Sequence, residues 1–126
     1  MSMNIVRIVL ALVAVLFGLL TIFAGTRVLL GSDPGYTVYR PLLIYNAGMG
    51  IVYVIAGIIA FRNIKKGMYA AALIFSLNLV VLAAVYYLYT AGGAVAIDSL
   101  RAMTLRTVVW LILFAGFGWL RNRSRI

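Results

Sequence analysis

Apolar residues run along this chain in four long blocks, broken at three places by short polar stretches. The first block, Ile8 to Thr26, is nineteen residues without a charge, bracketed by Arg7 and Arg27. At helical rise it covers about 28 Å, close to the roughly 30 Å of a bilayer's hydrocarbon core. The second runs from Leu42 to Phe61 and is closed by Arg62, Lys65 and Lys66. The third runs from Met68 to Thr90. The fourth needs more length, because only fourteen residues separate Arg106 from Arg121. It is expected to begin near Ser99, with Asp98 or Ser99 as N-cap, and to carry Arg101 and Arg106 in its first turns. The pattern predicts spans at about 6–29, 42–61, 68–90 and 99–120.

Small residues mark one face of each of the first two helices. Ala11, Ala14, Gly18, Thr21 and Gly25 recur at spacings of 3, 4, 3 and 4. Asn46, Gly50, Tyr53, Gly57 and Ala60 recur at 4, 3, 4 and 3. In lipid there is no hydrophobic drive between helices, so close backbone approach across small residues is a main source of affinity. The expected packing seam is therefore Ala11, Ala14, Gly18, Thr21, Gly25, Gly50 and Gly57. Asn46, on the same face as Gly50, is expected to hydrogen-bond a neighbouring helix.

The connections differ in character. Between the first two blocks lies a polar insert from Arg27 to Pro41, whose Ser32-Asp33-Pro34-Gly35 is a turn signal. Pro41 suits a first helical turn, where its missing N–H is not needed. Residues 62–67 form a short basic link, which predicts a hairpin of the second and third helices. Residues 91–97 form an uncharged link.

Composition agrees with a lipid solvent. Of the 126 residues 66% are hydrophobic and 10% are charged, against roughly 45–50% and about 25% in soluble domains. A single integral membrane domain over 1–126 is expected, an all-α, four-helix antiparallel bundle. The net charge of +9 does not indicate nucleic acid, because the basic residues sit at the ends of apolar runs rather than in a stripe. Seven of them (Arg7, Arg62, Lys65, Lys66, Arg121, Arg123, Arg125) fall on one membrane face. Four (Arg27, Arg40, Arg101, Arg106) fall on the other, with Asp33 and Asp98. The positive-inside rule then puts both termini in the cytoplasm. The expected location is the bacterial or archaeal cytoplasmic (inner) membrane.

The chain has no cysteine, histidine or glutamate. That removes thiolate and imidazole ligands and the commonest general base. Neither aspartate falls within a predicted span, which argues against a proton-coupled exchanger. No catalytic residue and no metal site is expected. What remains is a set of candidate ligand- or partner-contacting residues gathered toward the outer face: Asp33, Tyr36, Tyr39, Arg40, Tyr45, Asn46, Tyr53, Tyr86, Arg101 and Arg106. A cavity bounded by Asn46, Tyr53, Tyr86 and Arg106 is one expectation. A polar path lined by Asn46, Tyr53, Ser76 and Asn78 would be needed for a channel. Tyr86, Tyr87 and Tyr89 read as an interfacial belt.

The layout resembles the DoxX-like superfamily of small four-helix membrane proteins. The resemblance rests on Arg7, Phe17-Gly18 and Phe23-Ala24-Gly25-Thr-Arg27 in the first helix. It continues through Asn46-Ala-Gly-Met-Gly50 and Ala56-Gly57 in the second, and a basic turn into an alanine-rich third. Members often carry an acid on the second helix where this chain has Asn46, so the resemblance implies architecture rather than shared ionisable chemistry. Some relatives are described as subunits of quinone-linked oxidoreductases. The small-residue seams and the lack of catalytic groups, rather than the resemblance, give the expected role: a non-enzymatic accessory, assembly or scaffolding subunit of a membrane complex. The alternatives are a lipid- or quinone-binding module of an electron-transfer enzyme, or a small channel or transporter. No cofactor is expected beyond a bound lipid or quinone. Expected partners are membrane lipids and other membrane subunits or a second copy, not nucleic acid.

Overall fold

A computed structural model describes residues 3–31, 40–92 and 95–124, with side chains placed for 5–31, 40–92 and 95–122. It contains four helices: α1 (Met3–Leu29), α2 (Arg40–Arg62), α3 (Ile64–Thr90) and α4 (Ile97–Ser124). Each is long and apolar enough to cross a membrane. The helices extend past the expected spans because their charged ends stay helical. Only Asn63 separates α2 from α3, so the basic link of the sequence is largely the first turn of α3. Asn63 makes this possible: its backbone is extended, and its side-chain oxygen accepts the Lys66 N–H at 3.1 Å. That capping bond satisfies one of the donors a helix start leaves open. α4 begins at Ile97, ahead of the expected N-cap. Asp98 and Ser99 lie inside its first turn, where the Ser99 N–H already bonds the Ala96 carbonyl at 3.1 Å. At the other ends, α1 and α3 are followed by Gly31 (φ 110°) and Gly92 (φ 80°), whose left-handed backbone stops each helix.

α1 packs most closely on α2, and α3 on α4; α2 against α3 and α4 against α1 close the ring, while the backbones of the diagonal pairs stay apart. The result is a four-helix bundle made of two tight pairs. Small residues make the first pair. A Cβ on Gly18 would stand 2.7 Å from the Gly50 carbonyl oxygen, and one on Gly57 would stand 3.0 Å from that of Ala11. A Cβ on Gly25 would meet that of Ala47 at 3.0 Å. As the α1 position rises from 11 to 18 to 25, its α2 neighbour falls from 57 to 50 to 47. Gly67 of α3 likewise lies on Ala60 of α2, leaving 2.7 Å for a Cβ.

Outside these contacts the helices stay hydrocarbon. Ile8, Leu12, Leu16, Leu19 and Phe23 of α1 are exposed, as are Ile51, Ile55 and Ile58 of α2. Leu73, Val80, Leu105 and Ile112 continue this surface on α3 and α4. A helix apolar all round belongs inside a large core or in lipid, and a chain of this size has no core large enough. The four helices fit an integral membrane protein.

Candidate functional site: a buried polar hub and three grooves

Tyr53 meets all three other helices. It is fully buried on α2. Its ring stands 5.6 Å from Phe17 of α1 and 4.9 Å from Trp110 of α4, both tilted. Tilted aromatic pairs at such distances contribute about 0.5–1.5 kcal/mol beyond area burial. Its hydroxyl reaches Asn78 of α3. The Asn78 Nδ2 group donates to the Tyr53 oxygen at 3.0 Å, and the Tyr53 hydroxyl lies 3.3 Å from Asn78 Oδ1. Tyr45, two turns up the same helix, donates to that Oδ1 at 2.9 Å. One fully buried amide thus ties two phenols of α2 to α3.

Four hydroxyls of the spans serve their own helices. The hydroxyls of Thr21, Ser76, Thr104 and Thr107 each donate to the carbonyl four residues earlier, at 2.8, 2.8, 2.8 and 2.9 Å. Ser76 faces outward rather than into the bundle. A polar path lined by Asn46, Tyr53, Ser76 and Asn78 is therefore not formed among the described residues. Asn46 does not make the interhelix bond expected of it; its Oδ1 is buried and accepts no hydrogen bond. The interhelix bond is made instead by Asn78, which is fully buried on α3.

The candidate contact residues separate. Asp33, Tyr36 and Tyr39 lie outside the described residues. Arg40 and Arg101 are exposed. Tyr45 lines a groove of about 280 Å³ between α2 and α3, with Pro41, Val81 and Leu88. Tyr86 lines another, about 450 Å³, between α3 and α4, with Leu82, Leu100 and Thr104. Arg106 lines a third, about 240 Å³, between α1 and α4, with Phe17, Leu20, Thr21, Ala24, Ala102 and Leu105. Asn46, Tyr53, Tyr86 and Arg106 thus share no described cavity. Tyr86, Tyr87 and Tyr89 are exposed at the end of α3, as an interfacial belt requires.

Two features of the packing escaped sequence reasoning. Trp110 is fully buried, and its indole N–H has no hydrogen-bond partner. The Arg121 guanidinium lies 5.6 Å from the centroid of the Tyr69 ring, joining the ends of α4 and α3. Both are tertiary facts that the spacing within one helix does not carry. A similar cation–ring contact on α1, Arg27 over Phe23 at 5.5 Å, is local and follows from the i, i+4 spacing.

No family model, curated protein or solved structure matches this chain. Its reading therefore rests on its own residues: a small membrane protein whose polar side chains within the spans are directed mainly at its own helices.

Proposed function

We propose that this chain is a non-enzymatic accessory or scaffolding subunit of a membrane complex. In this reading it is an antiparallel bundle with both termini in the cytoplasm. The observation that carries the role is the use of its intramembrane polar groups. Asn78 spends its amide on Tyr45 and Tyr53, and four hydroxyls are spent on their own helix backbones. A transporter or channel needs such groups turned toward a path. The sequence offers no histidine, cysteine or glutamate for a catalytic site elsewhere. The descending order of α2 neighbours along α1 supports the antiparallel arrangement, and the arginine and lysine asymmetry supports the orientation. The four-helix layout also resembles the DoxX-like superfamily in sequence, a resemblance from which no chemistry is carried over.

The test is affinity purification in mild detergent from native membranes, followed by mass spectrometry of co-purifying proteins and reciprocal purification through the partner. A membrane protein recovered at constant stoichiometry from both sides is the expected result. Recovery of the chain alone, together with ion or solute flux through vesicles containing only this chain, overturns the reading.

A further inference from the structure

The groove between α1 and α4 differs from the other two in having a cation beside it. Arg106 lines it along with Phe17, Leu20, Ala24, Ala102 and Leu105, and Thr21, whose hydroxyl is already bonded to its own helix. We propose that this groove holds one acyl chain of an anionic phospholipid, with its phosphate on the Arg106 guanidinium. The inference stands apart from the accessory role.

Depth favours this occupant. Arg106 is nine residues into α4, about 14 Å along a helix of 28 residues, or about 42 Å. A helix of that length overhangs a core of about 30 Å by roughly 6 Å at each end. The Arg106 backbone thus lies about 8 Å inside the hydrocarbon edge. Helical side chains point back toward the helix N-terminus, which for α4 is the nearer membrane face. A side chain that starts there is directed toward the headgroup layer past Ala102, with its Nε buried in the bundle.

Size sets how much of a ligand the groove covers. A volume of about 240 Å³ is under the roughly 300–1,000 Å³ of sites that enclose a small molecule. It has room for about eight groups of water size. A chain segment fits it, with the rest of the lipid in the bilayer. The lining apart from Arg106 and Thr21 is hydrocarbon, which suits a chain.

Charge selects the headgroup. A guanidinium presents five donors in a fork that matches phosphate geometry, so it can hold a phosphate alongside other partners. The membrane face assigned to Arg106 carries four arginines against two aspartates, so a lipid of net negative charge is favoured over a zwitterion.

The test uses the full chain in nanodiscs of equal parts phosphatidylglycerol and phosphatidylcholine, with retained lipids counted by native mass spectrometry. Wild type should retain phosphatidylglycerol in preference. Arg106→Gln should lower the retained ratio of phosphatidylglycerol to phosphatidylcholine about tenfold, the effect of losing a hydrogen bond to a charged group. Ala102→Phe fills the groove with Arg106 intact and should lower the total retained. Lys65→Gln, on the opposite membrane face, should change neither. The two groove variants act on different halves of the site, so misfolding of one leaves the other to decide. Absence of a phosphatidylglycerol preference in wild type overturns the proposal, as does a preference that survives both groove variants. Displacement of the phospholipid by equimolar oleate overturns it in favour of a fatty-acid site.

Discussion

Gly18 of α1 and Gly50 of α2 meet backbone to backbone. A Cβ on Gly18 would stand 2.7 Å from the Gly50 carbonyl oxygen, and one on Gly50 would stand 3.0 Å from that of Gly18. Neither helix can retreat without loosening Gly57 on Ala11 and Gly25 on Ala47. Gly18→Ala is therefore expected to destabilise the bundle by about 1–3 kcal/mol, the usual cost of overpacking. Gly48→Ala is the contrast: nothing lies within 4 Å of its Cβ position, and alanine favours helix over glycine by up to about 1 kcal/mol. Thermal unfolding in detergent should move the two variants in opposite directions; equal shifts would sink the account of the seam.

Asn78 offers a second test. Asn78→Leu leaves the Tyr53 hydroxyl buried without its partner, at a cost of about 1–2 kcal/mol. Tyr53→Phe in the same chain removes the stranded group and should recover part of that loss. A double-mutant cycle by chemical denaturation should give a coupling of about 0.5–1.5 kcal/mol between the two positions. Simple additivity would mean that the bond contributes nothing.

Asn63 carries the whole connection between α2 and α3. Asn63→Ala removes the oxygen that accepts the Lys66 N–H and should lower stability by about 1 kcal/mol. Asn63→Asp keeps an acceptor and should stay near wild type. Amide hydrogen exchange at Lys66 reads the change directly; equal protection in both variants would remove the cap from the account.

The two tryptophans should report different solvents. Trp110 is fully buried while Trp119 is 47% exposed. Fluorescence of Trp119→Phe, which keeps Trp110, should resist quenching by brominated lipids. Fluorescence of Trp110→Phe, which keeps Trp119, should be quenched strongly. The reverse ranking would contradict the packing of α4.

Orientation is open to labelling because the chain has no native cysteine. Lys66→Cys at the start of α3 and Ala91→Cys at its end should sit on opposite membrane faces. An impermeant maleimide applied to intact cells should label Ala91→Cys and spare Lys66→Cys. Labelling of Lys66→Cys alone would invert the proposed topology.

The chain by itself determined its four helices. Three of the apolar runs come close to or exceed the length of a bilayer core, the fourth does so by carrying Arg101 and Arg106 in its first turns, and lipid forces such runs to satisfy their backbone internally. The small-residue faces of α1 and α2 were also legible, because a spacing of 3 and 4 is a property of one helix. The helix ends were less so. Arg62, Lys65 and Lys66 looked like a link, yet helical hydrogen bonding runs on past charges and stops only at Asn63.

Tertiary structure decided which groups meet. Tyr45 and Tyr53 read as members of an outer constellation with Asn46, whereas the packing of α3 brings Asn78 between them and leaves the Asn46 oxygen unbonded. Arg106 and Tyr86 looked like walls of one cavity and line two. Periodicity says which face of a helix is marked. It does not say which neighbour turns toward that face, since helix rotation and pairing are settled by backbone approach at Gly18 and Gly50 and by the fit of Tyr53 among Phe17, Asn78 and Trp110.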